Sequence, residues 1–199
     1  IKRARSYCVR ARLRILISSF PIFCFMEEIK SKIRSVPDFP KPGILYRDIT
    51  TLLKDPNGLK DVMKYFSIRY KGRKIDKIVG IESRGFILGA TLAYMLGIGF
   101  VPVRKANKLP AHTRRIDYAL EYGTDTLEIH SDAIIPGERV LLVDDLLATG
   151  GTAKAATQLV ESLGGIIVEC AFLIKLSDLK GEEKLNEYNI FSLLEFKEE

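Results

Sequence analysis

Residues 140–152 read Val-Leu-Leu-Val-Asp-Asp-Leu-Leu-Ala-Thr-Gly-Gly-Thr, with two adjacent carboxylates shortly before two glycines and two hydroxyls. Gly150 and Gly151 let the backbone bend sharply and approach a ligand closely. The free amides that open a following helix favour an anion. Thr149 and Thr152 can add hydroxyl donors, and Ala148 keeps the turn small. Carboxylates beside a bound phosphate would repel it, so Asp144 and Asp145 suit vicinal hydroxyls or a metal ion instead. Together the parts describe a site for a sugar 5-phosphate, with ring hydroxyls on the acidic side and phosphate on the Gly/Thr side. The plainer reading is an acidic strand end with a solvated glycine turn. It serves for Asp144 and Asp145 alone but not for the whole stretch.

Other residues could serve the same chemistry. Glu82-Ser83-Arg84-Gly85 leaves an apolar run and precedes an apolar helix, repeating the geometry of residues 140–152. An isolated arginine there is otherwise a surface ion pair. Arg104, Lys105 and Lys108 are cations close together after the next apolar run. They form either a solvated basic loop or a lid bringing charge to a departing anion. Glu121 lies in a hairpin pattern, where a glutamate is ordinarily solvent-exposed. The chain has no G-x-x-x-x-G-K-[ST], G-x-G-x-x-G or G-x-S-x-G, so other phosphate motifs and a serine hydrolase find no support.

The elements that must position these groups follow from periodicity. Helical spacing predicts helices over residues 26–36, 57–70, 86–96 and 153–163. Short apolar runs predict strands over 44–49, 75–81, 99–103, 140–143, 166–174 and 190–196. Asp144 and Asp145 are expected just beyond their strand. Alternation around a Gly123-Thr124-Asp125 turn predicts a β-hairpin ending at His130. Two prolines and a glycine within residues 38–43 make a stiff approach to residues 44–49. Strands alternating with helices argue for an α/β fold with a parallel sheet.

Residues 140–152 resemble the signature of type I phosphoribosyltransferases, which use 5-phosphoribosyl 1-diphosphate. Two further segments are similar to the adenine-using members: Phe39-Pro40-Lys41-Pro42-Gly43-Ile44-Leu45-Tyr46-Arg47-Asp48-Ile49 and Tyr118-Ala119-Leu120-Glu121-Tyr122-Gly123. The resemblance spans nearly all of residues 26–199 in motif order. It implies a central, mostly parallel sheet flanked by helices, with a small N-terminal hood and a β-hairpin lid. It implies transfer of a phosphoribosyl group to adenine, yielding AMP and diphosphate in purine salvage, with Mg²⁺ held mainly by substrate.

The resemblance also assigns roles. Asp144, Asp145, Ala148, Thr149, Gly150, Gly151 and Thr152 would hold the ribose 5-phosphate. Ser83, Arg84, Arg104, Lys105 and Lys108 would take the diphosphate, with a non-proline cis peptide between Glu82 and Ser83. Backbone atoms of Leu45 and Arg47, with the rings of Tyr46 and Tyr122, would meet adenine. Glu121, Arg84 and Lys105 would be catalytic. A 6-oxopurine or pyrimidine substrate, or a non-catalytic regulator that binds nucleic acid, are the alternatives. A homodimer is expected.

Composition narrows the classes. The 199 residues carry a formal net charge of +6, which invites a nucleic-acid reading. Six of the 31 basic residues fall before residue 26, however, and no acid lies among them. The remainder is neutral, with 25 basic and 25 acidic residues. The basic stretch 1–25 is read as upstream sequence ahead of Met26, disordered or not native. A transit peptide is the next reading and a secretory signal the last. Residues 26–199 are expected to form one domain. No run approaches the ~20 apolar residues of a spanning helix, and Cys8, Cys24 and Cys170 form no C-x-x-C pair. No membrane partner and a reducing, cytoplasmic setting are therefore expected.

Overall fold

The computed structural model describes residues 22–119 and 123–197, with side chains from Phe25 onward. The described residues fall into two compact units divided between Gly58 and Leu59.

In the first unit, helix α1 spans Ile22–Ser31. A short antiparallel pair follows, β1 (Arg34–Val36) with β2 (Tyr46–Asp48), in the register Ser35 to Arg47. The expected helix over 26–36 thus ends early and starts before Met26. Its last residues are drawn into strand pairing that local spacing cannot reveal. Asp48 joins the unit together. It takes Arg34 Nε at 3.1 Å and the Thr50 amide at 2.8 Å, where helix α2 (Thr50–Leu53) begins. Arg34 and the Thr50 contacts hold the Asp48 carboxyl down at about 2. The loop before β2 contains a cis Phe39–Pro40 bond and Gly43 at φ +84°, and the Gly43 amide ties it by donating to Asp38 Oδ1 at 2.7 Å.

Helix α3 (Pro56–Tyr70) leads into the second unit. There, β3 (Lys77–Ile81), helix α4 (Arg84–Leu96) and β4 (Gly99–Lys105) form a parallel crossover. The hairpin β5 (Thr113–Ala119) and β6 (Thr124–His130) follows. The chain then crosses to β7 (Arg139–Leu147), helix α5 (Gly151–Ser162), β8 (Ile166–Leu176), two short 3₁₀ turns and β9 (Ile190–Phe196). The sheet order is β5-β6-β4-β3-β7-β8-β9. Five neighbouring strands, β4 to β9 in that order, run parallel, and the hairpin adds antiparallel strands at one edge. The expected α/β fold with a mostly parallel central sheet is what forms.

Burial on both faces explains the apolar strands. Val140, Leu141, Leu142 and Val143 are fully buried, as are Phe172 and Leu173 of β8. Helix α5 presents Ala153, Ala156, Leu159 and Val160 to a core shared with Val79, Val103, Leu142 and Phe172.

Several boundaries differ from the periodic reading, and three of them bear on the polar residues at the strand ends. Strand β7 continues to Leu147, so Asp144 and Asp145 lie within it. Leu146 and Leu147 remain paired with Ile174 and Lys175 of β8. Helix α4 starts at Arg84, so the exit turn of β3 is shorter than expected. Strand β4 extends through Arg104 and Lys105, which pair antiparallel with Glu128 and Leu127 of β6.

Candidate active site

The strand order dictates where the site must be. The chain leaves β3 toward β4 on one side and later enters β7 on the other, so β3 and β7 are neighbours with crossovers diverging. In open α/β sheets the crevice at such a switch point, beyond the strands' carboxyl ends, receives ligands. Gly80 pairs with Val143. The next residues on either side are therefore the turn 82–84 and the pair Asp144-Asp145.

The two polar segments meet there. Arg84 Nε lies 2.8 Å from Asp145 Oδ2. The contact is an ion pair outside hydrogen-bond angles, and Asp145 Oδ2 is buried with no hydrogen-bond partner among the described residues. Asp144 Oδ1 accepts the Asp145 amide at 2.9 Å. Burial and the Asp145 charge push the Asp144 carboxyl well up. Burial also raises Asp145, while Arg84 opposes the rise. Two carboxylates held this close resist sharing two negative charges until a cation or hydroxyl donors arrive. Gly85 makes the junction possible: a Cβ there would stand 2.8 Å from Asp144 Oδ1 and 2.9 Å from the Val143 carbonyl oxygen. The Glu82–Ser83 peptide is cis, as the resemblance implied.

The anion side lies at the start of α5. Gly150 has φ +78° and is the N-cap, with no side chain capping the helix. Its carbonyl accepts the first helical bond, from the Lys154 amide at 2.9 Å. The amides of Gly151, Thr152 and Ala153 therefore have no partner within the helix. No acid occupies the first turn. Residues 148–150 form the strand-to-helix turn, and Gly151 and Thr152, expected in the turn, are the first two residues of α5.

The cations flank this edge. Arg104 donates through Nε and Nη2 to Glu82 at 3.3 and 3.1 Å, and Lys108 Nζ donates to Glu82 Oε1 at 2.9 Å. The Lys105 amide also donates to Glu82, at 3.1 Å. Burial pushes Glu82 up, but these donors prevail and hold it at about 2. Lys105 Nζ pairs with Asp125 on β6, which raises the lysine. The Tyr118 hydroxyl lies 3.4 Å from the same Asp125 carboxylate and also meets Thr152. A Cβ on Gly151 would sit 3.2 Å from the Ala119 carbonyl oxygen, so the end of β5 lies against the start of α5.

Of the expected site residues, Ser83, Arg84, Arg104, Lys105, Lys108, Asp144, Asp145 and residues 148–152 all gather at this edge of the second unit. Leu45, Tyr46 and Arg47 belong to the first unit. There Tyr46 meets Phe39 edge-on at 5.2 Å, and Arg47 Nη1 donates to Ser35 Oγ at 2.5 Å. Glu121 and Tyr122 lie outside the described residues. Sequence reading missed Gly181. It names Glu82 and Gly85 only as parts of the turn after β3, Asp125 only in a hairpin turn and Tyr118 only in a motif; the contacts that give them roles join segments far apart in sequence. Among the described residues, no three His, Cys, Asp or Glu side chains gather as a metal cage. Asp144 and Asp145 fit an ion held chiefly by substrate oxygens.

Comparisons agree with this geometry. Residues 48–199 match the model of the phosphoribosyl transferase domain. A curated adenine phosphoribosyltransferase of Methylobacillus flagellatus is 63% identical over 172 residues, covering 85% of this chain and 98% of the relative. The crystal structure of adenine phosphoribosyltransferase from Thermoanaerobacter pseudethanolicus superposes with TM-score 0.84 at 55% identity, covering 86% and 99% of the two chains. The Saccharomyces cerevisiae enzyme, complexed with an imino-altritol bisphosphate and adenine, gives TM-score 0.83 at 43% identity over 86% and 99%. The chain belongs to the phosphoribosyltransferase family. Within that family its relatives place it among the adenine phosphoribosyltransferases.

Proposed function

We propose that the chain joins adenine to 5-phosphoribosyl 1-diphosphate, releasing AMP and diphosphate. The bond from adenine N9 to the anomeric carbon forms, the bond from that carbon to the diphosphate oxygen breaks, and the N9 proton departs. The observation that carries this reading is the meeting of Arg84 with the carboxylate pair beside the uncapped start of α5.

In this reading the ribose 2- and 3-hydroxyls donate to Asp144 and Asp145. The 5-phosphate receives the amides of residues 150–153 and the hydroxyls of Thr149 and Thr152. Ser83, Arg84, Arg104, Lys105 and Lys108 face the diphosphate, whose charge grows as the bond breaks. Fixed cations stabilise that charge more in the transition state than in the ground state. The diphosphate competes with Glu82 and Asp125 for these cations. Asp144 and Asp145 would help hold Mg²⁺, directly or through substrate oxygens, and the ion would supply charge neutralisation for the leaving diphosphate. Backbone groups of Leu45 and Arg47, with Tyr46 and Tyr122, take adenine. A backbone amide and carbonyl matched to adenine leave buried groups unpaired against a 6-oxopurine. Glu121 handles the N9 proton.

A homodimer and a cytoplasmic location belong to the same reading. Helix α4 exposes Ile87, Tyr94 and Met95, with Tyr94 88% exposed, a face suited to a second copy. Cys170 is a buried free thiol, in keeping with a reducing compartment. No helix among the described residues is long and apolar enough to cross a membrane.

Steady-state assays with adenine, guanine, hypoxanthine and orotate test the reading. Turnover is expected with adenine alone. Preference for another base overturns the adenine assignment. No turnover, with sugar-diphosphate-dependent DNA binding, favours a regulator.

A further inference from the structure

Glu128 has the least exposed carboxylate among the described residues of the second unit, and none of the steps above uses it. It lies on β6 opposite Arg104 of β4. One oxygen, Oε1, accepts the amides of Lys108 and Leu109, each at 2.8 Å. The Asn107 amide converges on the same carboxylate. Its other oxygen, Oε2, meets Arg115 Nε at 3.1 Å and the Thr113 hydroxyl at 3.5 Å.

Two successive backbone amides on one carboxylate oxygen, those of Lys108 and Leu109, form an anion nest, here filled by the protein's own side chain. The turn that makes the nest requires Asn107 at φ +64°, a left-handed conformation that asparagine tolerates better than most residues. Burial alone would push Glu128 up, but the amides and Arg115 more than offset it and keep the group ionised. Arg104 Nη1 closes the arrangement by donating to the Lys108 carbonyl at 3.0 Å. The backbone of Lys108 is thus fixed on both its donor and its acceptor. Its ammonium then reaches Glu82, at the turn that also holds Arg84.

We propose that Glu128 is a positioning residue for diphosphate: its carboxylate fixes the turn 107–109 so that Lys108, with Arg104 and Lys105 beside it, is presented to the leaving group. The proposal rests on the reading that these cations serve the diphosphate. A displacement of about 1 Å in a charge-presenting group can cost up to about a hundredfold in rate, so the turn need not unfold to matter. Glutamine at this position retains one acceptor but sets an NH₂ group among donors. Aspartate retains the charge but is too short to reach both the amides and Arg115.

The test compares Glu128→Gln, Glu128→Asp and Lys108→Ala by steady-state kinetics in both directions, with thermal melts. Both Glu128 variants are expected to raise KM for the sugar diphosphate, and for diphosphate in the reverse direction, about tenfold or more. The KM for adenine should stay within about twofold, because the nest is built around the diphosphate cations alone. A lowered melting temperature with both diphosphate KM values unchanged makes Glu128 merely structural and overturns the proposal. Failure of both Glu128 variants to fold does the same. If Lys108→Ala leaves the diphosphate KM values unchanged, the reading of the cations fails. If Lys108→Ala raises them and the Glu128 variants do not, the positioning role alone fails.

Discussion

Gly150 and Gly181 meet backbone to backbone at the turn between β7 and α5. A Cβ on Gly150 would stand 2.3 Å from the Gly181 carbonyl oxygen, and one on Gly181 would stand 2.9 Å from the Gly150 amide nitrogen. The Gly181 position is also closed from a second side, with the Ala148 carbonyl oxygen 2.1 Å from that Cβ. Gly150 is glycine for its left-handed backbone as well as its contacts. Gly181 has no such backbone demand and is constrained by contact alone.

Gly181→Ala is therefore expected to displace the turn 148–150 without touching substrate. Overpacking of this kind costs about 1–3 kcal/mol. Steady-state kinetics should show kcat/KM for the sugar diphosphate lowered by about tenfold or more, with a lower melting temperature. Unchanged kinetics would mean that the turn yields without consequence for the phosphate.

Asp145→Asn removes the charge that faces Arg84 and weakens an acceptor assigned to ribose. Hydrogen bonds to charged groups contribute about 1.5–3 kcal/mol. Calorimetry should find sugar-diphosphate affinity reduced by about ten- to a hundredfold. Equal affinity would remove Asp145 from the ribose role.

Glu121→Gln should lower kcat far more than it changes KM for either substrate, since a general acid or base acts in the transition state. Rapid-quench measurement of the chemical step separates this from product release. An unaltered step would take Glu121 out of the proton transfer, leaving the family assignment intact.

Glu82 makes the protein's acid response predictable. Its folded value of about 2 lies below the ordinary 4.5, so its contribution to stability is complete above 4.5 and is lost as pH falls toward 2. In Glu82→Gln, denaturant midpoints measured across that interval should fall less steeply with acid than in the parent protein. An identical slope would show that Arg104 and Lys108 gain nothing from the carboxylate.

Much of the second unit was legible because its information is local. Val140 to Val143 must be buried on both faces, and Gly150-Gly151 must turn. What lay hidden depends on partners distant in the chain. Asp144 and Asp145 read as post-strand residues because periodicity does not register that β8 keeps pairing with β7 through Leu147. The expected hairpin forms, but its first strand reaches back to Thr113, because its arginines and aspartate carry too few apolar residues to mark its start and pairing with β6 sets its length. The site behaved likewise. The glycine-threonine turn was visible, whereas Gly181, Asp125 and Glu128 owe their importance to what they touch. The adenine segment and Glu121 were legible only through family likeness, because no rule of charge or period distinguishes them from an ordinary loop and an ordinary hairpin.

Strand β4 answers to two masters along its length: its first five residues pair with β3, and its last two pair with β6. Arg104 and Lys105 therefore stand at a joint, not on the rigid slab. A change in the length of the β5–β6 ribbon is expected to shift the Lys105–Asp125 pair and, through Tyr118 and Ala119, the start of α5, while the five parallel strands keep their pairing.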